Sequence, residues 1–186
     1  MTRFHHLYNK YIQRPGAAEL LNWLNQTDFF EAPASTRFHG DHPGGLCQHS
    51  VNVFEQLTRI YAAYPELSYS IETLAIVSLL HDVCKAECYK TEMRNKKENG
   101  RWIQVPFYTF KEDFPYGGHG SKCVYLIQRH MTLTEEEAVA INCHMGPWDR
   151  TPGDYSIGAA FERYPLAWLV HVADEAATYL TESKGD

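Results

Sequence analysis

Ile71-Glu72-Thr73-Leu74-Ala75-Ile76-Val77-Ser78-Leu79-Leu80-His81-Asp82-Val83-Cys84-Lys85 is an apolar run that ends in ionisable residues. Its apolar positions (Ile71, Leu74, Ala75, Val77, Leu79, Leu80) fall on nearly every side of a helix from about Ser70 to Lys85, which predicts that this helix is central. His81 and Asp82 lie late in it. Leu74, Ser78, His81, Asp82 and Lys85 follow helical spacing and so share one face. Two ionisable side chains in a buried helix are costly unless they are paired or bind a metal. The decisive reading is therefore a helical core built around a polar centre.

Upstream, Pro43-Gly44-Gly45 is a turn signal, and a helix from about Leu46 to Tyr64 follows it. Val51, Phe54, Leu57, Thr58 and Tyr61 give that helix a core face, and Pro65 stops it. Earlier still, Pro15 opens a helix carrying Leu20, Trp23 and Leu24, followed by an irregular stretch from Phe29 to His42. Downstream, Tyr89–Arg94 and Trp102–Phe110 are strand-like, and the connector Asn95-Lys96-Lys97-Glu98-Asn99-Gly100, with its Asn-Gly, lies between them. That predicts a β-hairpin inserted over about residues 89–110. Gly117-Gly118 precedes a helix from His119 to about His130. Thr134 is the expected N-cap of the next helix, with Glu137 at the capping-box offset. That helix carries Val139 and Ile141 towards His144 and ends at Gly146-Pro147. A loop over Trp148 to Tyr155 and a last helix from about Pro165 to Thr181 complete the chain. The fold class expected is mostly α, a helical bundle with one small hairpin. One domain spans 1–186, with residues 1–42 as a helical extension and 43–182 as the core.

The chain has 186 residues, 44% hydrophobic and 22% charged, ordinary values for a globular protein that buries a core. No apolar run approaches the ~20 residues that span a bilayer. Met1 to Tyr11 has no signal-peptide character, so a cytoplasmic location is expected. Cys47, Cys84, Cys88, Cys123 and Cys143 form no CxxC pair and read as small buried thiols in a reducing compartment. The net charge of −6 disfavours a broad grip on long nucleic acid but leaves room for a small anionic substrate.

Ten histidines are many for this length. His49 falls in the first turn of its helix, His119 starts a helix, and His144 ends one. Asp174 lies in the apolar run Leu169-Val170-His171-Val172-Ala173-Asp174. The order His49, His81-Asp82, His119, His144, Asp174 resembles the HD superfamily of metal-dependent phosphohydrolases. The surrounding motifs Gly-Gly-Leu-Cys-Gln-His, Leu-Leu-His-Asp-Val-Cys-Lys, Gly-His-Gly and Cys-His-Met-Gly are similar to the HD domain attached to some bacterial 3′→5′ exoribonucleases. The similarity covers about Pro43 to Leu180.

The resemblance implies an HD-domain bundle and a metal site. His49, His81, Asp82 and Asp174 would hold one ion. His119 and His144 would add a second, with Asp82 bridging. Imidazole and carboxylate ligands suit Mn, Fe, Ni, Zn or Co. Two such ions ~3.5–4 Å apart clamp a phosphate and lower the pKa of a water between them. Asp82 and Lys85 are the catalytic candidates, and Lys85 can also neutralise phosphoryl oxygens. Tyr116, Lys122 and Trp148 flank the ligands, and Lys122 and Trp148 are candidate substrate contacts. Trp148 can stack on a base or pack at a rim.

His39 and His42 fall in a loop near the expected entrance. His171 shares a helix face with Asp174, and His5, His6 and His130 read as surface residues. The cations Lys90, Arg94, Lys96, Lys97 and Arg101 make the hairpin either a lid over a phosphate or an ordinary solvated ribbon. The function expected is hydrolysis of a phosphoester in a nucleotide or short oligonucleotide. The same ligand order also serves HD-fold mixed-valent diiron oxygenases, and a non-catalytic nucleotide-binding module is the third reading. Oligomeric state is left open by the sequence.

Overall fold

Eight α-helices and one β-hairpin are built over residues 2–111, 118–149 and 156–182, the residues described by this computed structural model. Tyr116, Gly117 and most of the loop expected before Tyr155 lie outside the described residues.

Helix α1 (Arg3–Tyr11) starts at a reciprocal cap, in which the His5 amide donates to Thr2 Oγ1 and the Thr2 amide donates to His5 Nδ1. Phe4, Leu7 and Tyr8 recur at helical spacing and are buried. α1 therefore docks on the core, and His5, expected at the surface, is only half-exposed, its ring stacked on Phe30 at 4.4 Å. His130 is likewise half-buried against Trp23. α2 (Ala17–Leu24) follows as expected. α3 (Gly45–Tyr61) begins right after the glycine turn and buries Val51, Phe54 and Leu57.

α4 (Ile71–Leu79) is the central helix, buried without a break from Leu74 to Leu79, but it stops short of His81. The expectation that His81 and Asp82 lie inside this helix is corrected: they occupy a turn, and Val83–Lys85 is a short 3-10 segment. The cause is local. His81 Nδ1–H donates to the Ser78 carbonyl at 2.7 Å, so a side chain satisfies an end-of-helix acceptor. Backbone bonds then tighten, with Val83 donating to Leu80 and Lys85 to Asp82.

Strands β1 (Tyr89–Glu98) and β2 (Arg101–Phe110) pair antiparallel, Tyr89 opposite Phe110 and Glu98 opposite Arg101. Asn99 and Gly100 turn with φ of 50° and 81°, the two positive angles that a type I′ turn demands. Asn95–Glu98 belongs to β1 rather than to a connector, because the tight turn carries pairing to its edge. Beyond Tyr89 every β1 residue is exposed.

α5 (His119–Gln128) is followed by α6 (Glu135–Cys143), whose capping box joins Thr134 and Glu137 as expected. Gly146–Asp149 forms a 3-10 turn. α7 (Ser156–Arg163) was not foreseen; it buries only Ile157, too little to mark an apolar face. α8 (Pro165–Ala176) starts with its proline in the first turn, where the missing N–H is harmless. Its expected last turn, Ala177–Thr181, winds as a π-helix.

α8 packs against α3 and α6, α3 packs against α4, α5 lies on α6, and α1 covers α3 and α4. One hydrophobic cluster runs through these elements from Phe4 to Ala177. Among the described residues, no helix is long and apolar enough to cross a membrane.

Candidate metal centre

The ends of five helical elements meet at one buried point. α3 contributes His49, the turn after α4 contributes His81 and Asp82, and the first residue of α5 is His119. His144 caps α6, and Asp174 lies on α8. All six expected ligands are brought together. His49, His81, Asp82 and His144 are at most 1% exposed, and His119 is 8% exposed.

Asp82 lies at the middle. Its Oδ2 is 3.8 Å from His49 Nε2 and 3.4 Å from His81 Nε2. Its Oδ1 is 2.6 Å from His119 Nε2 and 3.5 Å from His144 Nε2. Each carboxylate oxygen thus faces its own pair of imidazoles. Asp174 Oδ1 lies 3.0 Å from His49 Nε2, and the Nε2 atoms of His49 and His81 are 3.3 Å apart.

Three of the rings are oriented from behind. His81 Nδ1–H donates to the Ser78 carbonyl and His144 Nδ1–H to the Ile141 carbonyl, each at 2.7 Å. His49 Nδ1–H donates to Glu182 Oε1 at 3.0 Å. A carbonyl oxygen only accepts, so the nitrogen facing it carries the proton. When neutral, each of these rings turns an Nε2 lone pair inward, towards carboxylate oxygens and towards its neighbours. Such a cluster of acceptors is stable only with positive charge among them. This is the arrangement that ligating histidines use, with the outer N–H bonded to a carboxylate or carbonyl.

The donor set fits a transition-metal ion. His144 Nε2 is buried without a hydrogen-bond partner, since Asp82 Oδ1 attracts it from 3.5 Å but lies outside bonding geometry. Donors placed ~2.0–2.2 Å from one ion lie roughly 3–3.5 Å apart, which matches most of these separations. Imidazole plus carboxylate suits first-row divalent ions.

Protons respond to the same field. Burial alone would depress the His49 imidazolium, but Asp174 and Glu182 override it and lift the ring to about 10. Burial likewise opposes charge on His144, and Asp82 and Asp174 lift it to about 9. His119 goes the other way, because burial outweighs its bond to Asp82. Burial would raise the Asp82 carboxyl, yet Lys85 and the imidazoles hold it well below the usual carboxylate range.

Glu182 was missed by sequence reading. It accepts from His49 and from Asn52 Nδ2 at 2.7 Å, one helical turn further along α3. The polar Thr181-Glu182 pair carries no periodic signal that could have exposed it. His171 lies behind the candidate ligands, where its Nδ1–H donates to the His144 carbonyl at 2.8 Å. Gly146 makes room for that ring. A Cβ there would meet His171 Cε1 at 2.6 Å, and its φ is +56°.

A cleft of about 290 Å³ opens onto this centre, lined by Phe38, His39, Lys85, Trp148, Asp174 and Tyr179 among others. Lys85 Nζ donates to Asp82 Oδ2 at 2.7 Å, and the Asp82 charge keeps the ammonium protonated against the pull of burial. His39 lies against His49, ring centroids 4.7 Å apart, with a buried Nε2 that has no hydrogen-bond partner. His42 is exposed. Trp148 is 75% exposed and belongs to the rim, not the core. Lys122 is not brought to the cleft; its amine donates to Cys88 Sγ at 3.5 Å. All five cysteines are buried, and Cys84 and Cys123 approach His119 closely enough that the three side-chain ligand atoms lie within 4.8 Å of one another.

No protein-family description, curated protein or solved structure matches this chain.

Proposed function

We propose that this chain is a metal-dependent phosphohydrolase or phosphodiesterase with an HD-type fold, acting on a nucleotide or a short oligonucleotide. The observation that carries the reading is Asp82, each of whose oxygens faces a separate pair of imidazoles. That division supports two ion positions sharing one carboxylate. His49, His81 and Asp174 would serve one of them, and His119 and His144 the other. When bound, Mn, Fe, Ni, Zn or Co supplies Lewis acidity towards a phosphoryl oxygen and lowers the pKa of a water.

The chain's own groups do the rest. Lys85 holds a fixed positive charge at the cleft floor, suited to a phosphate oxygen. Asp82 and Asp174 hold their negative charge far into acid, so ligand charge persists at neutral pH. Phe38, Trp148 and Tyr179 are each exposed by 64% or more and form an aromatic rim, suited to stacking on a nucleobase. Five buried cysteines suit a reducing compartment such as the cytoplasm.

The test is phosphate or phenolate release by protein supplied in turn with Mn, Ni, Zn or Fe(II). Substrates are nucleoside mono-, di- and triphosphates, a chromogenic phosphodiester and short oligonucleotides, with Asp82→Ala as control. Turnover abolished in Asp82→Ala is the expected result. Oxygen uptake with Fe(II) and no hydrolysis would replace the reading with a diiron oxygenase. Tight metal and nucleotide binding without any turnover would replace it with a regulatory module.

A further inference from the structure

The hairpin and the rest of the chain differ in sign. Residues 89–110 carry five cations (Lys90, Arg94, Lys96, Lys97, Arg101) against Glu92 and Glu98, a net +3 on a chain of −6, which leaves −9 elsewhere. Lys90 pairs with Glu92 at 2.8 Å, while Arg94, Lys96, Lys97 and Arg101 make no ion pair among the described residues. Aromatic and apolar side chains interleave with them. Trp102 is 71% exposed opposite Lys97, and Arg94 lies over the Phe107 ring at 5.3 Å.

Two-residue spacing places Arg94 and Lys96 on one face of the ribbon, with Arg101 and Phe107 across the ladder on the same face. Lys97 and Trp102 lie on the other face, so the ribbon presents cations and rings to a strand that wraps it. At its base Thr91, Arg94, Phe107 and Tyr108 line a groove of about 290 Å³ together with Thr36, Asp41 and His42. Phe38 and His39 of that same loop line the metal cleft. Neighbouring residues of one loop therefore line groove and cleft.

We propose that the hairpin and its basal groove bind single-stranded nucleic acid and lead the strand to the metal cleft. Arg94, Lys96, Lys97 and Arg101 take phosphates, and Trp102 takes a base. A ribbon alternating cations with aromatic faces is what sequence-tolerant single-strand binding uses. The acidic remainder repels a polyanion from the rest of the surface and confines it to the arm. The inference rests on the phosphoester reading of the cleft only for where the strand leads; the binding itself is independent of it.

The experiment is fluorescence anisotropy of the full chain with a labelled single-stranded oligonucleotide, RNA or DNA, in EDTA. Binding is expected to weaken with salt at a log–log slope of about −0.7 per phosphate engaged. The variant Lys96→Glu/Lys97→Glu/Arg101→Glu should lose about tenfold or more in affinity, and Trp102→Ala several-fold. Both should keep the circular dichroism of the parent and its turnover of a small chromogenic phosphodiester. Equal binding by parent and triple variant, or no binding by the parent, overturns the proposal. So does retention on phosphatidylserine vesicles without oligonucleotide binding, which assigns the arm to membranes. A dimer dissolved by the triple variant, again without oligonucleotide binding, overturns it in favour of self-association. Intact oligonucleotide binding with no diester turnover in any protein sinks the hydrolase reading and leaves the arm standing.

Discussion

His49 depends on a carboxylate 133 positions away in the chain. Glu182 fixes the Nδ1 proton of that ring and thereby aims Nε2 at Asp174 and Asp82. Glu182→Gln keeps the shape and removes the charge, so metal affinity should fall about 10–100-fold, as when the outer partner of a ligating histidine is lost. Competition against a chromophoric chelator measures this, and an unchanged affinity would deny Glu182 the role. Lys85 makes a prediction with two opposite signs. Its ammonium occupies Asp82 Oδ2 at 2.7 Å, where it competes with a metal ion. Lys85→Met should therefore tighten metal binding while raising KM for an anionic substrate about tenfold, the equivalent of ~1.4 kcal/mol. If both quantities fall together, Lys85 is only a structural counter-ion. The convergence of the six candidate ligands was legible because each is an ionisable residue in an apolar run or beside a glycine turn. Glu182 was not, since a carboxylate in a polar tail has no contrast with its neighbours.

Between elements, the clearest polar joint is Arg14, which clamps Glu137 of α6 through two nitrogens at 2.6 and 2.8 Å. The Glu137 side chain is fully buried, and the Thr73 hydroxyl and Thr134 amide also donate to it. This joint ties the segment between α1 and α2 to the core. Arg14→Met leaves a buried carboxylate with two donors and no counter-charge. We expect a loss of about 2 kcal/mol, below the ~3–5 kcal/mol of a fully buried broken pair because Arg14 itself is partly exposed. Burial would raise the Glu137 carboxyl, but Arg14 and Thr134 hold it below its ordinary value. A depressed carboxylate contributes stability above its unfolded pKa of ~4.3, and that contribution is lost as pH falls through the folded value. Urea melts should therefore separate the parent from Arg14→Met widely at pH 7 and much less at pH 3. A gap that stays constant with pH would mean the effect is packing alone. Helix caps and the Asn-Gly turn were readable because they are local chemistry. The Arg14–Glu137 clamp was not, since it joins residues 123 apart. The stop of α4 before His81 was hidden for a related reason: the ring itself takes the carbonyl that the next helical turn would have used.

The candidate metal centre lies where α3, α5, α6, α8 and the turn after α4 meet, so anything that binds it ties the fold together. A ligand that binds only the folded chain stabilises it by mass action, about 2.7 kcal/mol at a hundredfold excess over Kd. For a chain of this size that corresponds to a rise in Tm of roughly 5–10 °C on adding a suitable divalent ion to EDTA-treated protein. The rise should depend on pH in a definite direction. His49 and His144 have raised affinity for protons because carboxylates surround them. A metal ion must displace those protons, so its apparent affinity falls as pH is lowered. Scanning fluorimetry at pH 6, 7 and 8 should show the metal-induced shift growing with pH in the parent. In Asp174→Asn the proton-binding field and the ligand are both weakened, so the shift should be smaller at every pH. A shift of equal size at all three pH values, or one retained in full by Asp174→Asn, would place the bound ion elsewhere on the surface. In that case the six converging side chains would be a proton-balanced polar core, and the phosphohydrolase reading would lose its foundation.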